Sequence, residues 1–271
     1  MPSMFAERQM LNLDAISAAT SSSDEARVRH FYEQLQLGRF HLAFQSVKAA
    51  ADPQRSLYQE GLLRSNGEPL GFNPFAVLER KHAIRRLDRC VVDAIIALLQ
   101  SYPNLTLGCN VSAQSTSLDY YWEQVLQRLA DSEVASRLVI EITESSAPNS
   151  HDQAVEFVHQ LRSTGCHVAI DDFGSGFGTL AFIQHAQPDI IKIDQGYVQR
   201  ARRSSLHAKT LRHLVGLCNT LAPHVVVEGV ETADDLAMGL DCEAQWVQGF
   251  LFSRAQRLID GLDTPCVLKT E

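Results

Sequence analysis

The sequence predicts an α/β protein folded as a closed (β/α)8 barrel, and three observations point that way. Short runs rich in β-branched residues recur at Leu105–Val111, Leu138–Thr143, His167–Asp172, Asp189–Ile193 and Val225–Val230. Amphipathic stretches, such as Asp152–Ser163 and Lys209–Thr220, lie between most of them. Strands alternating with helices imply parallel crossovers and a sheet covered on both faces. The units number about eight, which favours a closed ring over an open doubly wound sheet. The GxGxxG fingerprint of a dinucleotide-binding open sheet is absent. Gly174, Gly176 and Gly178 come nearest, but they follow two aspartates deep in the chain.

Taken in order, residues 1–23 end in the run Thr20 to Ser23 and read as a flexible N-terminal arm. Ser23 or Asp24 then caps a helix that runs to about Leu37 and is closed by Gly38. No Pro/Gly-rich linker follows, so residues 24–271 read as one catalytic domain. The chain has 271 residues, 45% of them hydrophobic and 21% charged, an ordinary globular composition. Its formal net charge of −8 argues against a DNA-binding protein. A small anionic substrate stays possible where cations or a few Lys and Arg make a site locally positive. No secretory signal or bilayer-spanning stretch is visible. The six cysteines are scattered singly and read as reduced thiols, so the expected location is cytoplasmic.

A strand buried on both faces should stay apolar until it emerges, yet these runs end in polar groups. Asn110 follows LTLGC, Glu141 follows RLVI, Asp171 and Asp172 follow HVAI, Lys192 follows DII, and Glu228 follows HVVV. One such acid is commonly a helix cap; five strands sharing the habit is hard to explain by capping. In a barrel these ends converge on one mouth. Adjacent Asp171 and Asp172 reach one site only if the strand is already turning, which the following glycines allow. Crowded carboxylates repel unless cations sit among them. Oxygen donors with an Asn amide suit Mg²⁺ or Mn²⁺ rather than zinc. The cluster therefore predicts a divalent site, with a pair of ions bridged by one aspartate as one form of it.

At this point a family resemblance becomes visible in the motifs. They are Phe44-Gln45-Ser46-Val47, Glu60-Gly61-Leu62-Leu63-Arg64, Asn110-Val111-Ser112, Glu141-Ile142-Thr143-Glu144-Ser145 and Asp171-Asp172-Phe173-Gly174-Ser175-Gly176-Phe177. Ile191-Lys192-Ile193-Asp194, Val227-Glu228-Gly229-Val230-Glu231-Thr232 and Val247-Gln248-Gly249-Phe250-Leu251-Phe252-Ser253 follow. In this order the chain, from about residue 30 to 256, resembles the EAL-domain cyclic di-GMP phosphodiesterases. The resemblance implies a TIM-like barrel with an irregular antiparallel first strand. It implies two divalent cations, Mg²⁺ or Mn²⁺, held by Glu60, Asn110, Glu141, Asp171, Asp172 and Glu228, with Asp171 as the bridge. Lys192 would hold or help deprotonate the attacking water, and Glu231 would support the metal–water network. Gln45, Leu62, Arg64 and Gln248 would hold substrate bases and phosphate. Glu144 and the Asp172–Leu180 loop would support the metal site and a homodimer contact.

The residues also carry the chemistry on their own. Phosphodiester hydrolysis needs a nucleophile at neutral pH and stabilised phosphoryl and leaving oxygens, which two ions about 4 Å apart supply. Arg64 can grip a phosphate oxygen or make a surface salt bridge, and Gln45 and Gln248 can meet substrate or backbone. Lys192 sits between isoleucines, where an unpaired lysine would be costly.

Some positions depart from the family pattern. Gly61 stands for the usual alanine and predicts a more flexible strand, Ser46 stands for a proline, and GSGFGTL stands for GTGYSSL. The readings that compete are an active phosphodiesterase making linear pGpG, a weak or inactive cyclic di-GMP receptor signalling through a regulatory protein partner, and an unrelated metal-assisted barrel hydrolase.

Overall fold

The structure, a computed structural model, describes residues 23–130, 132–143, 147–176, 179–257 and 266–267. Helix α1 spans residues 23–36. It ends as its glycine predicts: Gly38 takes φ 68°, and Arg39 N–H reaches back to the Gln34 carbonyl at 3.1 Å. Asp24 is not spent on a cap; its carboxylate pairs with Arg27 and Arg80.

Strands β1 (Phe40–Ala49) and β2 (Ser56–Ser65) form an antiparallel hairpin, with a register irregularity at Val47/Lys48. The chain continues through α2 (Pro74–Arg80), α3 (Ile84–Ser101), β3 (Leu107–Ser112), α4 (Tyr120–Ala130) and β4 (Leu138–Thr143). Then come α5 (His151–Ser163), β5 (His167–Phe173), α6 (Leu180–Ala186), β6 (Ile190–Ile193) and α7 (Gln195–Ala201). Last are α8 (Ser205–Cys218), β7 (His224–Glu228), α9 (Ala233–Asp241), β8 (Trp246–Gln248) and the short β9 (Cys266–Val267). Strands β2 to β8 run parallel, and β1 closes the ring antiparallel between β8 and β2. The fold is the expected TIM-like (β/α)8 barrel with an antiparallel first strand. The five strands read from the sequence each lie within two residues of an observed one.

Two apolar layers hold the barrel together. The larger packs the outward strand faces against the helices, with Ile140, Ile142, Val168, Ile170 and Ile191 meeting Phe157, Leu161 and Ile183. A smaller cluster, Val47, Ala49, Tyr58, Val139, Ala169, Ile190, Val226 and Trp246, fills the barrel interior. Because successive side chains alternate across a strand, the residue two further along points inward again. From Tyr58, Val139, Ala169, Ile190, Val226 and Trp246 that step leads to Glu60, Glu141, Asp171, Lys192, Glu228 and Gln248. The polar residues therefore form the next interior layer, stacked on an apolar floor.

Gly61 lies on β2 where it faces α3 and β3. A Cβ there would lie 3.1 Å from Ile95 Cδ1 and 3.2 Å from the Gly108 carbonyl, so the glycine fills a tight place. Among the described residues no helix is long and apolar enough to cross a membrane. Cys90, Cys109, Cys166, Cys218 and Cys242 are free, and all of these but Cys90 are buried.

Candidate active site

The centre of the polar layer is Lys192, whose side chain is 1% exposed. Its Nζ lies 2.7 Å from Glu141, 2.8 Å from Asp171, 2.9 Å from Glu228 and 3.1 Å from Glu60. Glu60 is tied further: Asn110 Nδ2 donates to its Oε1 at 2.6 Å and Gln248 Nε2 to its Oε2 at 2.7 Å. One carboxylate of β2 thus joins β3, β6 and β8 across the barrel.

Charge is far from balanced here. Five carboxylates, with Asp172 beside the other four, face one ammonium. Burial pushes Glu141 well above the usual carboxylate range, and the Glu60 charge adds to it. Asp171 is raised by burial, Glu228 is pushed up by burial to about 8, and Asp172 by burial and the Asp171 charge to about 6. Glu60 moves the other way. Burial opposes its ionisation, but Lys192, Gln248 and Asn110 together hold it below the ordinary value. Burial would also discharge Lys192, yet the surrounding acids outweigh it and keep the ammonium protonated.

The donor set fits hard cations. Buried Asn110 Oδ1, Glu141 Oε1 and Gln248 Oε1 have no hydrogen-bond partner, a costly state for acceptors away from water. Glu60, Glu141 and Asp171 bring oxygens within 4.8 Å of one another, and so do Asp171, Asp172 and Glu228. Asp171 belongs to both groups. Asp172 joins the second because it takes φ 56°, the left-handed region, and breaks the alternation that would have pointed it outward. With all five carboxylates ionised, one ammonium leaves four negative charges, the charge that two divalent ions would balance.

Two clefts meet at this layer. The larger, about 330 Å³, is lined by Leu62, Phe75, Glu79, Ile84, Leu87 and Asp88 among others. The smaller, about 270 Å³, includes Gln45, Gln195, Glu231, Gln248 and Phe250. Glu60, Leu62, Arg64, Asp171 and Asp172 line both.

Not every residue singled out from the sequence meets the acid layer. Gln45 lines the smaller cleft, but its amide donates to the Ser253 carbonyl at 3.0 Å. Gln248 holds Glu60. Arg64 stands at the cleft junction and donates to the Leu63 carbonyl at 2.9 Å. Glu231, 40% exposed, pairs with Arg202 at 3.2 Å and is not among the grouped acids. Glu144, Phe177 and Gly178 lie outside the described residues.

The sequence reading missed Glu79 and Asp88, and gave no role to Ser112 of the Asn110-Val111-Ser112 motif. Asp88 accepts from the Ser112 N–H at 3.1 Å and the Ser115 hydroxyl at 2.6 Å, and burial pushes it up to about 7. Ser112 Oγ donates to Glu79 at 2.8 Å. A signal was there: Asp88 interrupts the apolar stripe Ile84, Leu87, Val91, Val92 and Ile95 of α3.

The EAL domain family profile matches residues 28–255. The cyclic di-GMP phosphodiesterase PdeF of Escherichia coli is 27% identical over 249 residues, 88% of this chain and 33% of that protein. A solved structure of the phosphodiesterase PaMucR in complex with c-di-GMP superposes with TM-score 0.72 at 25% identity, covering 84% of this chain and 97% of that one. The Klebsiella pneumoniae BlrP1 manganese/cy-diGMP complex superposes with TM-score 0.65 at 27% identity, over 80% of this chain and 56% of that one. The matched segment spans from 15% to 33% of the length of such curated relatives.

Proposed function

Given that the chain belongs to the EAL domain family, we propose that it hydrolyses cyclic di-GMP to linear pGpG in a reaction that depends on divalent cations, Mg²⁺ or Mn²⁺. One observation carries the reading: two acid groups sharing Asp171 lie where two clefts meet. A cyclic dinucleotide with one nucleoside in each cleft would lay a phosphodiester across that junction.

Glu60, Asn110, Glu141 and Asp171 would hold one ion, and Asp171, Asp172 and Glu228 the other. When bound, such ions acidify a water and draw charge from the phosphoryl and leaving oxygens. Lys192 then acts as a donor that holds and orients the water, because an ammonium among four carboxylates does not take a proton. Gln248 and Asn110 keep Glu60 aimed at the centre. Arg64 at the junction would grip a phosphate oxygen. Glu79 and Asp88 would offer acceptors to a base edge rich in N–H donors, as guanine's is. Glu231 would support the water network from the smaller cleft after leaving Arg202. The homodimer through the loop after Asp172 and a regulatory protein partner belong to the same reading.

Chromatography of cyclic di-GMP incubated with the protein and Mg²⁺ or Mn²⁺ tests it. Linear pGpG is expected. Tight binding without product in either ion would make the chain a receptor, and cleavage of generic phosphodiesters with cyclic di-GMP untouched would make it another kind of hydrolase.

A further inference from the structure

The larger cleft has a wall that depends on a short helix. α2 contributes Phe75 and Glu79 to that cleft, yet has only Val77 and Leu78 buried beneath it. α1 adds polar ties to that packing. Asp24, 4% exposed, accepts from Arg80 Nε at 3.0 Å and Nη2 at 2.9 Å, a two-pronged pair, with Arg27 at 3.0 Å on its other oxygen. Glu25 reaches Lys81 at 3.2 Å. At the far side of the α2–α3 corner, the Tyr32 hydroxyl donates to the Ala83 carbonyl at 2.6 Å, and Arg86 stacks 4.6 Å from the Tyr32 ring. The corner itself turns at His82 with φ 50°, a conformation the surroundings must enforce.

Arg80 follows Glu79 in the chain, and Glu79 receives the Ser112 hydroxyl two residues beyond Asn110. A continuous set of contacts therefore runs from Asp24 to the cleft. Asp24 lies before residue 28, where the family match begins.

We propose that Asp24 is a positioning residue for substrate: through Arg80 it fixes α2, and with it the Phe75–Glu79 wall of the larger cleft. This rests on the cleft's receiving half of the dinucleotide. Whatever displaces the start of α1 would then weaken substrate binding without touching the acid layer.

The test compares Asp24→Ala, Arg80→Ala, the double variant and Asp24→Glu with the parent chain. Arg80 is 55% exposed, so its truncation leaves the core closed. KM for cyclic di-GMP is expected to rise about fivefold in each single variant with kcat within about twofold, the pattern of lost ground-state binding. The double variant should be no worse than either single one, Asp24→Glu should recover most of the loss, and the cation concentration for half-maximal rate should stay unchanged. Amide exchange at residues 75–80, followed without nucleotide, should quicken in the two Ala variants and be restored by Glu. An unchanged KM would overturn the proposal, as would kcat and cation dependence falling together with it. If the parent chain turns over nothing, the functional reading fails by itself; unchanged exchange at residues 75–80 would then overturn the positioning role, and faster exchange restored by Glu would support it.

Discussion

Asp171 and Asp172 are adjacent in sequence but unequal in the site. Asp171 points inward on the regular alternation, contacts Lys192 at 2.8 Å and belongs to both acid groups; Asp172 reaches only the second, through its left-handed backbone. Asp171→Ala should therefore abolish cation-dependent turnover by orders of magnitude, while Asp172→Ala should leave residual turnover that demands more cation. A Mn²⁺ titration of rate separates them; equal loss with equal cation demand would refute the unequal roles. The raised carboxyls also set a pH dependence. Glu228 titrates near 8 in the fold against an ordinary 4.5, and Asp172 near 6 against 3.8. Between those limits the folded chain keeps protons that the unfolded chain has released, so the contribution of these two groups to stability is full below their ordinary values and is lost as pH rises. Cations compete with the same protons, so their stabilising effect grows with pH. Chelator-treated protein should melt lower at about pH 8 than at about pH 5, with the larger gain from Mn²⁺ at the higher pH. Melting curves at both pH values, with and without the ion, decide this.

At the scale of elements, β3 shows how closely the strands are fitted to the acids they carry. A Cβ on Gly108 would lie 2.6 Å from Glu141 Oε1 and 2.6 Å from the Tyr58 ring, whereas one on Gly61 meets nothing nearer than 3.1 Å. Gly108→Ala should displace the Glu141 carboxylate, lowering both melting temperature and Mn²⁺ affinity; Gly61→Ala should be mild. Calorimetric ion titration of the two variants checks the contrast, and a Gly108→Ala chain binding Mn²⁺ normally would contradict it. The same elements explain what could be read beforehand. Glu141, Asp171, Lys192 and Glu228 end short apolar runs, so the polar break in each run exposed them. Glu60 sits mid-strand in the polar run SLYQEGLLRS, where no periodicity marks it, and only the motif resemblance brought it in. Gln248 aiming at Glu60, Gln45 at Ser253 and Asp88 at the end of β3 depend on partners between 24 and 208 residues away, which local pattern does not encode.

For the whole molecule the decisive choice is ring closure. The number of alternating units pointed to a barrel, but the direction of β1 was legible only through resemblance, because an antiparallel stave carries the same alternation as a parallel one. Closure is uneven: β1 pairs with β2 from Phe40↔Ser65 to Lys48↔Ser56, but with β8 only at Lys48↔Val247 and Ala49↔Trp246. Segment 253–256 buttresses that seam, with Phe44 and Gln256 exchanging backbone bonds of 2.6 and 3.0 Å and Ser253 receiving Gln45. Truncation after Arg254 should therefore lower the melting temperature and broaden the transition, which circular dichroism would register; an unaltered melt would place the seam's strength elsewhere. If each acid group takes one ion, the shared Asp171 makes their filling non-independent. The first arrival withdraws charge that the second would have met, so the second step needs a higher free concentration. Turnover that requires both would follow the ambient supply of Mg²⁺ or Mn²⁺ across that weaker step, and ion supply would itself become an input to the rate.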